Sequence, residues 1–289
     1  GTYMRRTGLT PNPTVVHPSF GSVCSYELGE RLENFDLPHC ISINNPGMGA
    51  GFLGMAHAPF VVQNPNQPIA NLEPPKGVDP SRMGRRLQML GLVEDNFVRQ
   101  GRGQGGIDHK AVYAKTIRMM NSHLMEAFNI KDESPAVREA YGKGSFGSGC
   151  LMARRLVEKG VTFVEVALGG WDTHTNAFET LSTRLLPELD KGMGALVADL
   201  AERGLLDSTM IVWMGEFGRT PKINENAGLD HYPNAWSAVL AGGGLKGGQA
   251  IGNTGADGNE VRDRPVAVSD LLATVVKGLG LDPMTQNMA

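Results

Sequence analysis

The chain carries little net charge, few cysteines and no long apolar run, and each shortage excludes something. Its formal charge is −3 over 289 residues, with both signs scattered along the sequence. No basic stripe therefore tracks a phosphate backbone, which excludes nucleic acid as a partner, and no polybasic run marks a membrane-binding patch. Apolar stretches stay well short of the roughly 18 residues a spanning helix needs. The best candidate strand is itself interrupted by Glu165, so the chain is not membrane-spanning. Cys24, Cys40 and Cys150 lie far apart without C-x-x-C spacing. Neither a zinc knuckle nor a dithiol redox motif is present, and there is room for one disulfide.

Glycine is what the chain has in excess: 38 of 289 residues, roughly twice ordinary usage, with no collagen period. Many tight loops around a sheet follow from that. A composition of 41% hydrophobic and 20% charged residues supports a large core. No internal repeat and no domain-separating linker is found, so residues 1–289 read as a single domain. Within it, 1–145 form a loop-rich and helical elaboration and 146–289 a βαβ core. The opening Gly1 and the pair Arg5-Arg6 are followed by Thr-Gly-Leu-Thr-Pro, not by the apolar stretch of a twin-arginine export signal. A trimmed N-terminus is the expectation.

Periodicity predicts a helix over about Ser19 to Leu32, a strand over Cys40–Ile43, and helices over 81–100 and 108–128, the last capped by Asp108. A helix is expected to start at Pro135 and another to run from Ser148 to Lys159. Beyond it the order is clearer. Val161 to Leu168 and Thr209 to Trp213 have strand composition, with a helix between them whose Leu181, Leu185, Leu189, Met193, Leu196, Val197 and Leu200 share one face and which Gly204 closes. Trp236 to Ala241 reads as a third strand, and Val268 to Leu279, capped at Ser269 or its neighbour, as the last helix. Such βαβ alternation predicts an α/β fold with a parallel sheet covered by helices.

Two strand-like runs break at glycine into polar clusters: Gly169-Gly-Trp-Asp-Thr-His-Thr-Asn176 and Met214-Gly-Glu-Phe-Gly-Arg-Thr-Pro221. Ligands of open α/β sheets bind beyond the carboxyl ends of strands, which is where these clusters fall. Asp172 and His174 alternate, so in an extended segment both side chains reach one cation. Glu216, Asp230 and His231 bring the set to three carboxylates and two imidazoles, enough for one or two metals. Imidazole ligands suit zinc, manganese or iron better than calcium. The Arg219 guanidinium can grip a tetrahedral oxyanion or form a salt bridge with Glu225 or Asp230. His17, His39, His57, His109 and His123 show no such grouping and read as structural or surface residues. Gly101-Arg-Gly-Gln-Gly-Gly106 matches a dinucleotide fingerprint in letters but lacks the preceding strand, and Gly242–Gly248 lacks the Gly-Lys-Ser/Thr ending of a P-loop.

Phe146-Gly-x-x-Cys-Leu-x-Ala-Arg-Arg-Leu-Val, Gly169-Gly-Trp-Asp-Thr-His, Gly215-Glu-Phe-Gly-Arg-Thr-Pro and Asp230-His-Tyr-Pro together resemble the bacterial domain-of-unknown-function family numbered 1501. Gly49-Ala-Gly-Phe-Leu-Gly54 and the closing stretch from Asp263 extend the resemblance over nearly the whole chain. Members are often labelled sulfatase-like and are similar to the alkaline phosphatase superfamily. The resemblance implies a three-layer α/β/α sandwich with a mainly parallel sheet and a metal centre of zinc or manganese, calcium fitting less well. It further implies hydrolysis of phosphate or sulfate monoesters of a small molecule or polysaccharide, in the periplasm or outside the cell. By position His174, Glu216 and His231 look like superfamily ligands, while Phe217 stands where that pattern has a histidine. Gly1 to Gly8 looks like the segment that follows the nucleophile. A first strand and its aspartate would then be missing, with Thr2 an outside candidate for the nucleophile, and residues 1–289 alone are expected to turn over neither aryl phosphates nor aryl sulfates. Two alternatives stand beside this reading: an exported, non-catalytic binding or scaffold protein that keeps the fold, and a phosphomutase-type transferase.

Overall fold

The computed structural model describes residues 1–29, 35–69, 76–101 and 104–285. In chain order the N-terminal half holds α1 (Thr2–Thr7), α2 (Phe20–Gly29), β1 (Cys40–Ile43), β2 (Phe60–Val62), α3 (Pro80–Arg99), α4 (Gln104–Met120), α5 (Pro135–Tyr141) and α6 (Ser145–Glu158). There follow β3 (Phe163–Val166), α7 (Ala177–Thr180), α8 (Leu186–Glu202), β4 (Met210–Met214), β5 (Gly218–Arg219) and β6 (His231–Tyr232). The chain closes with β7 (Ala238–Gly242), β8 (Asn253–Thr254), β9 (Val261–Asp263) and α9 (Val268–Gly278). The fold is α/β.

β1 is the centre of a three-stranded parallel sheet of order β2-β1-β3, with Ile43 opposite both Val62 and Val166. Every residue of β1 is buried, as a strand covered on both faces requires. Ile41 and Ile43 are fully enclosed, a burial that contributes about 1.5–3 kcal/mol per side chain. α6 lies against β3 on one side and α8 on the other. Its Phe146, Leu151, Met152 and Leu156 enter the same core as β1. Gly149 allows the close approach: a Cβ there would stand 2.8 Å from Val166 Cγ1 and 3.2 Å from Ile43 Cγ2.

α6 also buries a charge. Arg154 has a 1% exposed side chain and ion-pairs with Glu133 at 2.8 Å, Glu158 at 2.8 Å and Asp199 of α8 at 2.9 Å. Tyr141 donates its hydroxyl to the same Asp199 at 2.9 Å, so α5, α6 and α8 share one polar knot. Ser134 caps α5 by accepting from the Val137 N–H, and Pro135 occupies the first turn, where its missing N–H costs nothing.

Several expectations need correction. β4 does not join the parallel sheet: it pairs antiparallel with β7, from Met210 opposite Gly242 to Met214 opposite Ala238. Among the described residues it makes no ladder with β3. The excursion after β4 leaves and re-enters at the same end of the strand, so β7 has to run in the opposite direction. The described strands are thus one small parallel sheet and short antiparallel pairs. The expected leucine-faced helix is present as one unbroken helical run of α7, a π-helical turn over Leu181–Leu185 and α8, and Gly204 follows it in a left-handed turn at φ 68°. α4 begins at Gln104, which puts Asp108 inside the helix and not at its cap. The cap of α9 is Ala267, whose N–H donates to Asp270 Oδ2 at 3.0 Å; Ser269 plays no part. α2 is described to Gly29, and the rest of the expected helix to Leu32 lies outside the described residues, as do positions 102 and 103 of the Gly101–Gly106 run, whose Gln104 to Gly106 open α4 instead of forming a loop. All three cysteines are free and buried, and burial pushes the thiols of Cys40 and Cys150 up to about 12.

Candidate metal centre

Two loops build the site, and backbone hydrogen bonds fasten one to the other. The first follows β3 and holds Trp171 to Asn176. The second runs from Phe217 to Tyr232, folded by the β5–β6 pairing that sets Arg219 opposite His231 and Gly218 opposite Tyr232. Leu229 N–H donates to Thr173 O at 3.0 Å, Asn176 N–H to Asn226 O at 3.0 Å, and Ala177 N–H to Ala227 O at 2.9 Å. Asn224 ties the knot from inside. Its amide nitrogen donates to His174 O at 3.0 Å and to Asp230 Oδ1 at 3.1 Å, while its oxygen accepts from the Asn226 and Gly228 N–H groups. Gly228 is buried under the first loop, where a Cβ would fall 1.9 Å from His174 O.

This fastening brings Asp172, His174 and His231 together, with one donor atom from each within 4.8 Å of the others. Asp172 Oδ1 is 2.8 Å from His231 Nε2 and 3.0 Å from His174 Nε2, and the two imidazole nitrogens are 3.2 Å apart. Ligands of a tetrahedral ion with bonds of about 2.0–2.2 Å stand about 3.4 Å from each other. An outward movement of a few tenths of an ångström would seat a cation among these three donors.

Asp230 takes a different position from the other three. Its Oδ1 stands 2.9 Å from His174 Nδ1, and with the Nδ1–H donated to this carboxylate the Nε2 lone pair is left to serve a cation. That hydrogen bond, with the one from Asn224, holds the Asp230 carboxyl below its ordinary range. The Asp172 carboxyl is driven down to about 2 by hydrogen bonds from Arg219 and His231.

Both terminal nitrogens of Arg219 are engaged. Its Nη1 donates to Leu229 O at 3.1 Å, and its Nη2 to Trp171 O at 3.0 Å and to Asp172 Oδ1 at 2.7 Å. The carboxylate it meets is Asp172, not Glu225 or Asp230. Glu216 is not among the clustered donors, and its carboxylate accepts the Thr2 hydroxyl of α1. Phe217 stands between the two groups: its ring lies 4.4 Å from the His231 ring, and a Cβ on Gly1 would lie 2.9 Å from its Cδ1.

Compared with known protein families, residues 1–289 match the family described as Protein of unknown function (DUF1501). The chain belongs to this family. No curated protein and no solved structure matched it. In this DUF1501 member, reasoning from the sequence named the three clustered donors but not Asn224 or Gly228. The run Asn224-Glu-Asn-Ala-Gly228 carried a usable signal, since asparagine with a glycine downstream is a turn that bonds its own backbone. Of the other histidines, His109 pairs with Glu94 at 2.5 Å, and His39 stacks on Phe35 with its basicity lowered to about 4 by burial.

Proposed function

We propose that the Asp172–His174–His231 triad holds the metal of a hydrolase acting on phosphate or sulfate monoesters. The observation that carries this reading is the number and kind of converging donors: three protein ligands with a fourth direction open to solvent is the arrangement of catalytic sites, whereas structural zinc is closed by four. A bound divalent ion there supplies Lewis-acid polarisation and an acidified water. The chain's own residues supply the rest. Asp230 orients His174, and Arg219 places a fixed positive charge beside the triad that attracts an anionic ester. Thr2, on the other side of Phe217, presents a hydroxyl already hydrogen-bonded to the Glu216 carboxylate, the pairing of a nucleophile with its base. Relation to the alkaline phosphatase superfamily, a three-layer α/β/α architecture and a place in the periplasm or outside the cell belong to the same proposal, supported by the motif resemblance.

The rival reading, a non-catalytic protein that keeps a metal, is favoured by the full engagement of the Arg219 fork on Asp172, Trp171 and Leu229. Release of 4-nitrophenol from its phosphate and sulfate esters by the protein of the complete reading frame, loaded with zinc or manganese, separates the two. Metal-dependent turnover that disappears in His174→Ala supports the hydrolase. Stoichiometric metal without turnover of either ester, or of any phosphate transfer to a sugar acceptor, leaves the binding protein.

A further inference from the structure

The outer side of α3 combines exposed arginines with exposed apolar side chains. α3 meets α4, where Glu94 pairs with His109 at 2.5 Å and, at the exposed margin, Asp95 with Lys110 at 2.5 Å. Met89, Leu92 and Val93 face outward and are 69%, 71% and 66% exposed. Their spacing of three and four residues makes them neighbours on the helix surface. Arg82, Arg85 and Arg86 precede this apolar patch and Arg99 follows it. Among the described residues none of the four arginines is ion-paired with a carboxylate: Arg85 donates to Ser81 Oγ at 2.6 Å and Arg99 to the Asp95 carbonyl at 3.2 Å. The ridge from Arg82 to Arg99 is about 26 Å long at 1.5 Å per residue.

The occupant of this ridge has to accept cations at both ends and exposed apolar side chains in the middle. A second copy does not, because the two acids of α3 are already paired with α4 and arginines would face arginines. A lipid surface of negative charge satisfies both demands. Amphipathic helices lie in the interface with their apolar residues about 5–10 Å deep, while guanidinium groups extend to the phosphates. We propose that α3 docks the protein on an anionic lipid surface. Binding is peripheral, since among the described residues no helix is long and apolar enough to cross a membrane. The near-zero net charge of the whole chain hid the patch, although Arg82, Arg85 and Arg86 lie within five residues of one helix and no acid follows them before Glu94.

The test is co-sedimentation of the whole chain with vesicles of phosphatidylcholine alone and of phosphatidylcholine with phosphatidylglycerol. Binding is expected to the anionic vesicles only and to vanish at about 0.5 M salt, where charges are screened beyond a few ångströms. Arg82→Gln/Arg85→Gln/Arg86→Gln should weaken it roughly 100-fold, at about 1 kcal/mol per basic side chain near the surface. Met89→Ser/Leu92→Ser should weaken it as well, and His174→Ala should leave it unchanged. All substituted α3 side chains are exposed, so an unchanged circular dichroism spectrum is expected of these variants. Equal binding to neutral vesicles, indifference to either set of substitutions, or no vesicle binding would each overturn the proposal. Saturable capture of an acidic protein without vesicle binding would replace it by a protein partner.

Discussion

Asp230 Oδ1 and His174 Nδ1 stand 2.9 Å apart, and this one hydrogen bond decides which face of the imidazole looks at Asp172 and His231. A carboxylate two loops away in sequence thereby prepares a nitrogen for a cation without contributing a donor atom of its own to the triad.

Asp230→Ala should therefore weaken zinc binding about 10- to 100-fold, the usual cost of losing a carboxylate behind a ligating histidine. His174→Ala and Asp172→Ala should weaken it more. Isothermal titration of metal-free protein with zinc gives the order directly. An Asp230→Ala protein as deficient as His174→Ala would make Asp230 a ligand, and an unaffected one would deny it any part in the site.

Gly228→Ala should damage the site through the backbone. The added Cβ would meet His174 O at 1.9 Å, so the two loops must separate. Overpacking of this kind costs about 1–3 kcal/mol. Zinc affinity should drop together with the urea midpoint, while helical content by circular dichroism stays at its original level. Full zinc affinity in the variant would show that the loops tolerate separation and that their fastening does not shape the triad.

Arg154→Leu should be among the most damaging single substitutions in the chain. It leaves Glu133, Glu158 and Asp199 without the cation that joins them, and breaking a buried pair costs about 3–5 kcal/mol. Equilibrium urea denaturation measures the loss. A change below about 1 kcal/mol would mean that water reaches the knot and that Arg154 is not its centre.

Acid should unfold the protein through the same knot. Burial works to raise the carboxyl of Glu133, but the Arg155 hydrogen bond and the Arg154 charge outweigh it; Asp199 is likewise opposed by burial and lowered by Arg203 and Tyr141. Both carboxyls end below their ordinary values. Groups depressed on folding add stability that is complete above the unfolded value of about 4 and is lost as pH falls through the folded one. The urea midpoint should hold steady down to about pH 5 and fall below about pH 4. In Arg154→Leu that fall should be shallower, because part of the depression has gone. A stability that rises on acidification through this range would reverse the assignment.

How far the sequence reached differs from element to element. Cys40–Ile43 was legible as a strand because a short isoleucine-containing run bounded by Pro, Gly and Asn is a local signal. α6 and α9 were legible from periodicity to within a few residues, since an amphipathic face is a local property. Asp172 and His174 were legible as a pair because alternation in an extended segment needs no knowledge of the fold.

The partners of β4 were not. A strand's composition says that it needs a neighbour but not which one, and the choice of β7 over β3 rests on how a 23-residue excursion returns. Arg219 and Glu216 are of the same kind. Their residue types fit an oxyanion clamp and a ligand equally well in isolation. Only the tertiary structure turns the guanidinium onto Asp172 and two carbonyls and sends the carboxylate to Thr2. The sequence by itself determined the α/β class, the strand ends that carry the polar clusters and the donor types, because these depend on local pattern and side-chain chemistry. The tertiary structure decided which donors meet, and it did so through the backbone bonds between the 171–177 and 224–229 loops, whose geometry no local pattern encodes.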